Sequence, residues 1–308
     1  MVAESPNPTK KPRLGTLRAP TTRDVFLQSS VNADQDDLER EFFARIVLPN
    51  GTIKSTGAHR MDDLNAAVLP HIAAITEMPV RVLDVAVSSG VSTAEWYESL
   101  AAAKISCDFT ATDLTVYASL VSLTPGLAVL VDRHRNILHL DVFGRGVPPV
   151  AEGPGAILAG AIRMLFRAAM KLDDRLSPLN GSLQEFAKGH VLKCQPVTLL
   201  TKRLSRNEHL RVIEQDLMAP DPPQFQAAFH VVRAANILNR SYFSDQILAQ
   251  IVNKLKKTIK PHGLFIVCRT EHNGVNDATL FQFASDLKFR VLLRLGAGSE
   301  IENLVLGI

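Results

Sequence analysis

The sequence predicts an α/β protein: a doubly wound, mostly parallel seven-stranded sheet with a C-terminal antiparallel strand hairpin, plus an α+β insertion. Three observations predict it. Short apolar runs ending at or near an acid recur at Val80–Val85, Asp108–Asp113 and Leu210–Leu217, and alternate with helical patterns. The stretch from Arg81 to Thr93 reads as a buried strand, a small-residue turn and a helix start. In such a unit backbone N–H groups and the helix dipole face a ligand. The last two apolar runs, Phe289–Leu295 and Ile301–Leu306, are joined by Gly296-Ala297-Gly298-Ser299-Glu300, too short for a crossover helix.

Bulk properties narrow the class. The 308 residues are 46% hydrophobic and 21% charged with a net charge of +3, enough for one large domain or a core with an insertion. No block of like charge exists to track phosphates, so nucleic acid is not an expected partner. Cys107, Cys194 and Cys268 lie far apart in apolar segments and read as reduced thiols of a cytoplasmic protein. Lys10, Lys11 and Arg13 are followed by no apolar stretch, so no signal peptide is expected. Leu114–Val131 reaches the ~18 uncharged residues of a membrane span. Ser119, Ser122, Thr124, Pro125 and Gly126 interrupt it, so it reads as helix, turn and strand.

Residues 1–33, rich in Pro, Thr, Ser and basic groups, read as a disordered tail. A cap over 34–79 follows. It holds a helix from Asp34 to Arg45, a hairpin over Arg45–Lys54 turning at Asn50-Gly51, and a helix from Met61 to Ile75. His59 and Arg60 between them are loop residues placed to meet solvent or a ligand. The core comprises 80–118 and 206–308. In its first turn Ser92 and Thr93 can cap a helix starting near Ala94. The second strand ends in Asp113, a cap for a following helix or an acceptor for a ribose diol. Over 119–205 the strand–helix rhythm breaks, and this insertion is expected to shape the substrate site. It holds a hairpin over Leu127–Phe143, an apolar helix over Gly155–Leu172 and a strand pair over Val191–Leu204. Arg163, Arg167 and Lys171 line one face of that helix, which suits a lid, simple packing or peripheral membrane contact through 155–172. His134 and His139 have no third ligand at a metal-site spacing, so no metal is expected. The rhythm resumes with Leu210–Leu217, Phe229–Asn236, a helix over Asp245–Ile259 and a strand over Leu264–Cys268.

This order resembles the class I S-adenosylmethionine-dependent methyltransferases over 80–118 and 206–308. Asp84-Val85-Ala86-Val87-Ser88-Ser89-Gly90 is similar to their first motif, with alanine and serine at two glycine positions. Asp113 matches the ribose acid, Gln215-Asp216-Leu217 the adenine-flanking stretch, and Lys260-Pro261-His262-Gly263 the turn before the fifth strand. Arg233 to Asn239, followed by Tyr242-Phe243, resembles the fourth motif of chemotaxis-receptor methyltransferases at a longer spacing.

The resemblance implies S-adenosyl-L-methionine as cofactor, bound by Asp84, Ala86, Ser88, Gly90, Asp113, Gln215, Asp216 and Leu217. It implies a Rossmann-like methyltransferase acting on a small-molecule or lipid-like acceptor, O- or carboxyl-methylation being favoured. Asn236, Arg233 and Glu271 are the candidate catalytic residues: Arg233 or Arg269 can hold a carboxylate bidentately, and Glu271 or His272 can act as base. A non-catalytic scaffold or cofactor sensor with the same fold is the alternative. A nicotinamide-dependent oxidoreductase lacks its Gly-x-Gly-x-x-Gly here.

Overall fold

The computed structural model describes residues 19–27, 35–49, 51, 53–54, 57–149, 155–172 and 193–308. The chain opens with α1 (Thr22–Phe26), α2 (Gln35–Phe43), α3 (Asp62–Ala73), β1 (Val80–Val85), α4 (Val91–Ala102) and β2 (Cys107–Asp113). It continues with β3 (Tyr117–Thr124), β4 (Leu127–Asp132), β5 (Ile137–Val142), β6 (Arg145–Val147), α5 (Gly155–Leu172) and β7 (Lys193–Thr198). Next come α6 (Lys202–Ser205), β8 (Leu210–Glu214), β9 (Phe229–Ala235) and α7 (Asp245–Lys256). The chain closes with β10 (Ile259–Thr270), β11 (Asn276–Phe283), β12 (Phe289–Leu295) and α8 (Glu302–Leu306).

Seven strands form one sheet in the order β12-β11-β10-β9-β1-β2-β8, and five form a second in the order β6-β5-β4-β3-β7. β8, β2, β1, β9 and β10 run parallel, while β11 is antiparallel to both its neighbours. Alternate residues of the parallel strands feed two cores. Val82, Val231 and Ile266 face α3 and α4; Leu83, Val232 and Val267 face α7 and α8. A strand covered on both faces needs apolar side chains at every position, hence the continuous runs in the sequence. Helix α7 shows the helical counterpart. Ser244 caps it by accepting from Ile247 N, and Leu248, Ile251, Val252 and Leu255 bury one stripe. Each such side chain contributes about 1.5–3 kcal/mol on burial.

The expected fold class is present, with four differences in its parts. The closing hairpin is β11–β12, and Ile301–Leu306 is no strand. Ile301 and Val305 are buried four residues apart against α7, a helical period that a short apolar run conceals. Nor does a helix follow Asp113: residues 114–116 lead straight into β3, where Tyr117, Val121 and Thr124 suit a strand. In place of the strand pair over Val191–Leu204 stand β7 and the short α6, with 191–192 outside the described residues. The expected tail ends earlier than 33. Thr21 and Asp24 form a capping box on α1, Val25 is fully buried, and Thr22 donates from N and Oγ1 to Asp141 Oδ1 at 3.0 and 3.1 Å. Residues 1–18 and 28–33 of that tail lie outside the described residues.

The second sheet is also covered on both faces. α1 and α2 bring Val25, Phe42 and Phe43 to Leu120, Leu130 and Leu138, while α5 brings Ala159, Ile162 and Phe166 to Val121, Val129 and Leu140. Ile157, Leu158, Met164 and Leu165 of α5 face outward. Among the described residues no helix is long and apolar enough to cross a membrane.

The seat of α1 is tight at Gly146, whose N–H donates to Ala19 O at 2.9 Å. A Cβ there would lie 2.0 Å from Pro20 O and 2.8 Å from His139 Cε1. Gly146→Ala is therefore expected to destabilise the fold by about 1–3 kcal/mol, as overpacking does. An unchanged midpoint in urea unfolding would show that the segment before α1 does not seat there.

Candidate functional site

A cavity of about 470 Å³ opens at the carboxyl ends of β1, β2, β8 and β9. Both its position and its size are those of a ligand site in an open α/β sheet. Its floor is the turn after β1. Val87 N donates to Thr112 O at 3.1 Å, Ser88 N to Asp113 Oδ2 at 2.7 Å and Gly90 N to Val87 O at 2.9 Å. These bonds hold Ala86 and Ser88 at φ 58° each, the left-handed region where glycine is the usual residue. Ala86 and Ser88 line the cavity, whereas Gly90 does not. Gly90, at φ 87°, meets the insertion instead: a Cβ there would lie 2.1 Å from Leu204 Cδ2, and Thr201 N donates to Ser89 O at 2.9 Å. Gly90 is also the N-cap of α4, so the helix starts three residues before Ala94. Thr93, expected as a cap, instead donates from Oγ1 to Asp84 Oδ2 at 2.8 Å.

Two buried ion pairs govern the electrostatics. Arg233 grips Asp84 with Nε and Nη2 at 2.9 and 2.6 Å, and its guanidinium also donates to Asn65 Oδ1 and to Ser92 O, each at 3.3 Å. Its face lies 4.0 Å from the centre of the Trp96 ring. Arg233 thus lines the cavity with every arm engaged, which makes it a brace for Asp84 rather than a free receptor for a substrate. The second pair joins Lys54 Nζ to Asp113 Oδ1 at 2.8 Å, and the same ammonium donates to Ser88 O at 2.9 Å. Thr115 N adds a bond to Asp113 Oδ1 at 3.2 Å. Each of the two acids accepts three hydrogen bonds, which leaves one of a carboxylate's roughly four accepting positions open.

At the β8 side the wall is Leu114, Gln215, Asp216, Leu217 and Met218. Lys254 secures this corner by donating to Asp216 O and Leu217 O at 3.2 and 2.9 Å and pairing with Asp221 at 3.2 Å. Burial raises the Asp221 carboxyl above its ordinary value. At the β9 side stand Asn236, Ile237, Tyr242 and Phe243. Asn236 is held at φ 60° with its Oδ1 accepting from Thr270 N at 2.7 Å.

Seven of the eight expected cofactor residues therefore share one cavity, with Gly90 behind it. Of the expected catalytic residues, Asn236 and Arg233 reach the wall and Glu271 does not. Glu271 pairs with Arg269 at 3.3 Å, and Arg269 also holds Glu300 at 2.8 Å, so neither faces the cavity. Asn239 accepts at Oδ1 from Ser241 N and Tyr242 N in the turn before α7. Among the described residues the insertion, expected to shape the substrate site, contributes none of the lining. That part falls to the N-terminal cap through Leu48, Ile53, Lys54, Arg60 and Met61. Lys54 is the residue that sequence reasoning missed: nothing marks it among 34 Lys and Arg except its place after the hairpin turn. No disulfide joins the three cysteines, and burial pushes Cys268 up to about 12 and Cys107 up to about 11.

No family model matches the chain, and no curated protein matches it. Solved structures similar to it include the CMeT domain of the citrinin polyketide synthase, 11% identical with a TM-score of 0.35 over 80% of this chain and 41% of that one. Another is the N-methyltransferase NodS of Bradyrhizobium japonicum WM9, 10% identical with a TM-score of 0.31 over 68% of this chain and 62% of that one. A third is the 1,6-didemethyltoxoflavin-N1-methyltransferase of Burkholderia thailandensis, 13% identical with a TM-score of 0.34 over 80% and 65%. In all three the matched part spans less than two thirds of the other chain.

Because Asp84 is almost wholly buried, Arg233→Met is expected to destabilise the fold by about 3–5 kcal/mol, the usual effect of stranding one buried charge. The double variant Arg233→Met, Asp84→Leu should recover most of that loss in denaturant unfolding. Equal stability of single and double variants would show that the pair is not what matters.

Proposed function

We propose that the cavity holds S-adenosyl-L-methionine and that the chain is a methyltransferase for a small-molecule or lipid-like acceptor. The observation that carries this reading is the left-handed backbone at Ala86 and Ser88 beside the cavity. An L-residue in that conformation costs roughly 1–2 kcal/mol, and such strain persists where the surroundings enforce it, commonly at ligand sites. Here it falls on the two positions where the resembled first motif carries glycine, so the turn keeps its shape without its usual residue.

The residues present fit the cofactor. Asp113 retains one acceptor for a ribose hydroxyl, and Asp84 retains one for the ammonium of the methionine part. Gln215 to Leu217 form the corner for adenine, with Leu114 and Leu217 as its apolar walls. The bound group would supply a methyl on a sulfonium, the electrophile of the reaction. The chain's own part is to align the acceptor and exclude water, for which Leu48, Ile53, Ile237 and Phe243 provide apolar wall. Asp84 and Asp113 are each engaged by a cation and accept three hydrogen bonds in all, so neither is free to act as a base. An acceptor that is already an anion, as a carboxylate is, suits this wall best.

A second reading has an observation of its own. Lys54 already occupies Asp113, and the Cβ atoms of Ala86 and Ser88 narrow the floor, which suits a module that binds the cofactor without turnover.

Thermal shift and turnover separate the two. S-adenosylhomocysteine at a hundred times its Kd should stabilise the chain by about 2.7 kcal/mol through linkage. Asp113→Ala should remove most of that shift, each protein being compared with its own ligand-free melting temperature because the variant also strands Lys54. Ala86→Gly and Ser88→Gly should tighten binding if those side chains narrow the floor. Binding without methyl transfer to any small-molecule extract favours the second reading. No shift at millimolar ligand sinks both.

A further inference from the structure

Arg60 is the third cation in the cavity wall, and it differs from the other two. Lys54 and Arg233 each lie on a carboxylate, whereas the guanidinium of Arg60 has no hydrogen bond and no ion pair among the described residues. Only its backbone is held, the carbonyl accepting from Asn276 Nδ2 at 2.7 Å. The side chain is half-buried, and burial lowers its pKa although a guanidinium stays charged in proteins. Among the described residues no carboxylate lies within ion-pairing distance of it.

A half-buried cation facing a cavity without a counter-charge is an unfilled receptor for an anion. Its surroundings narrow the anion. The adjoining wall is Met61, Asn236, Ile237, Tyr242 and Phe243, an apolar and aromatic surface with one amide. One planar fork matches the two oxygens of a carboxylate, while a phosphate dianion would keep an unpaired charge there. The sheet order puts this end beside β9 and the adenine corner beside β8, roughly 15 Å apart at three strand spacings.

We propose that Arg60 receives the carboxylate of a small acid with an apolar body, bound at the β9 end of the cavity. Calling that acid the methyl acceptor rests on the methyltransfer reading above; the anion site itself does not. The same chemistry has a second source, the amino-acid carboxylate of the cofactor.

Calorimetry on the full chain and on Arg60→Gln and Arg60→Lys distinguishes them. The probes are benzoate, phenylacetate and octanoate with their amides, and S-adenosylhomocysteine with 5′-methylthioadenosine, which lacks the amino-acid part. At least one acid should bind more tightly than its amide. Arg60→Gln should weaken that acid roughly ten- to a hundredfold, as loss of a charged hydrogen-bonding partner does. Arg60→Lys should fall between, since an ammonium cannot form the fork. S-adenosylhomocysteine affinity should be unchanged by either variant, and so should the melting temperature, because the side chain has no partner to lose. If Arg60→Gln weakens S-adenosylhomocysteine but not 5′-methylthioadenosine, the carboxylate is the cofactor's and the acceptor assignment is overturned. It is overturned too if no acid outbinds its amide, or if Arg60→Gln binds the acids as the parent does. Arg60-dependent acid binding by a chain that ignores S-adenosylhomocysteine would uphold the anion site and remove the methyltransfer reading instead.

Discussion

The arrangement depends on one buried contact, the two-pronged grip of Arg233 on Asp84. It ties the centre of the sheet, β9 to β1, and through Asn65 and Ser92 it engages α3 and α4 as well. Trp96 closes one face of the guanidinium, and Thr93 completes the carboxylate. In an interior of low effective dielectric neither charge is tolerable alone, so every element that touches the pair is fixed relative to the others. An apolar pair of equal volume is often as stable. What the ions add is geometry: a carboxylate held at a defined point of the cavity wall.

Lys54 does the same one strand over. It reaches from the N-terminal hairpin to Asp113 and to the carbonyl of Ser88, so the cap is bonded to the turn that forms the cavity floor. With Asp84 and Asp113 both matched by cations, the floor carries carboxylates without a net negative field. The left-handed residues belong to the same design. The ladder bond from Val87 to Thr112 and the bond from Ser88 to Asp113 determine the path of the backbone, and Ala86 and Ser88 conform to it.

How much of this is legible in the sequence follows from how local each signal is. Asp84, Asp113 and the Gln215–Leu217 stretch announce themselves because strand ends and turns leave local patterns, and the structure brings all of them to one cavity. β11 escapes because it opens with Asn276-Asp277, although Leu280, Phe281 and Phe283 alternate between the two cores. The last helix escapes because an apolar run of five or six residues fits either period. Lys54 escapes for a deeper reason: its significance lies in a carboxylate 59 residues away, which no local pattern encodes. Arg60 is legible as a loop residue placed to meet solvent or a ligand, and only the fold decides between the two.

The position of β1 also bears on how the chain comes to be assembled. Asp84 waits for Arg233, 149 residues later in synthesis, while β3 to β6 form an uninterrupted antiparallel meander. Contacts between near neighbours form early and those across long separations form late. Four of the smaller sheet's five strands are thus synthesised while the larger still lacks its middle, and until β9 follows, β1 has β2 as its one neighbour in the chain and one edge unpaired. Such an edge is where a nascent chain meets chaperones or aggregates. The charge of Asp84 near the end of that edge, unwelcome in a finished core until Arg233 arrives, is a safeguard while the chain is still being made.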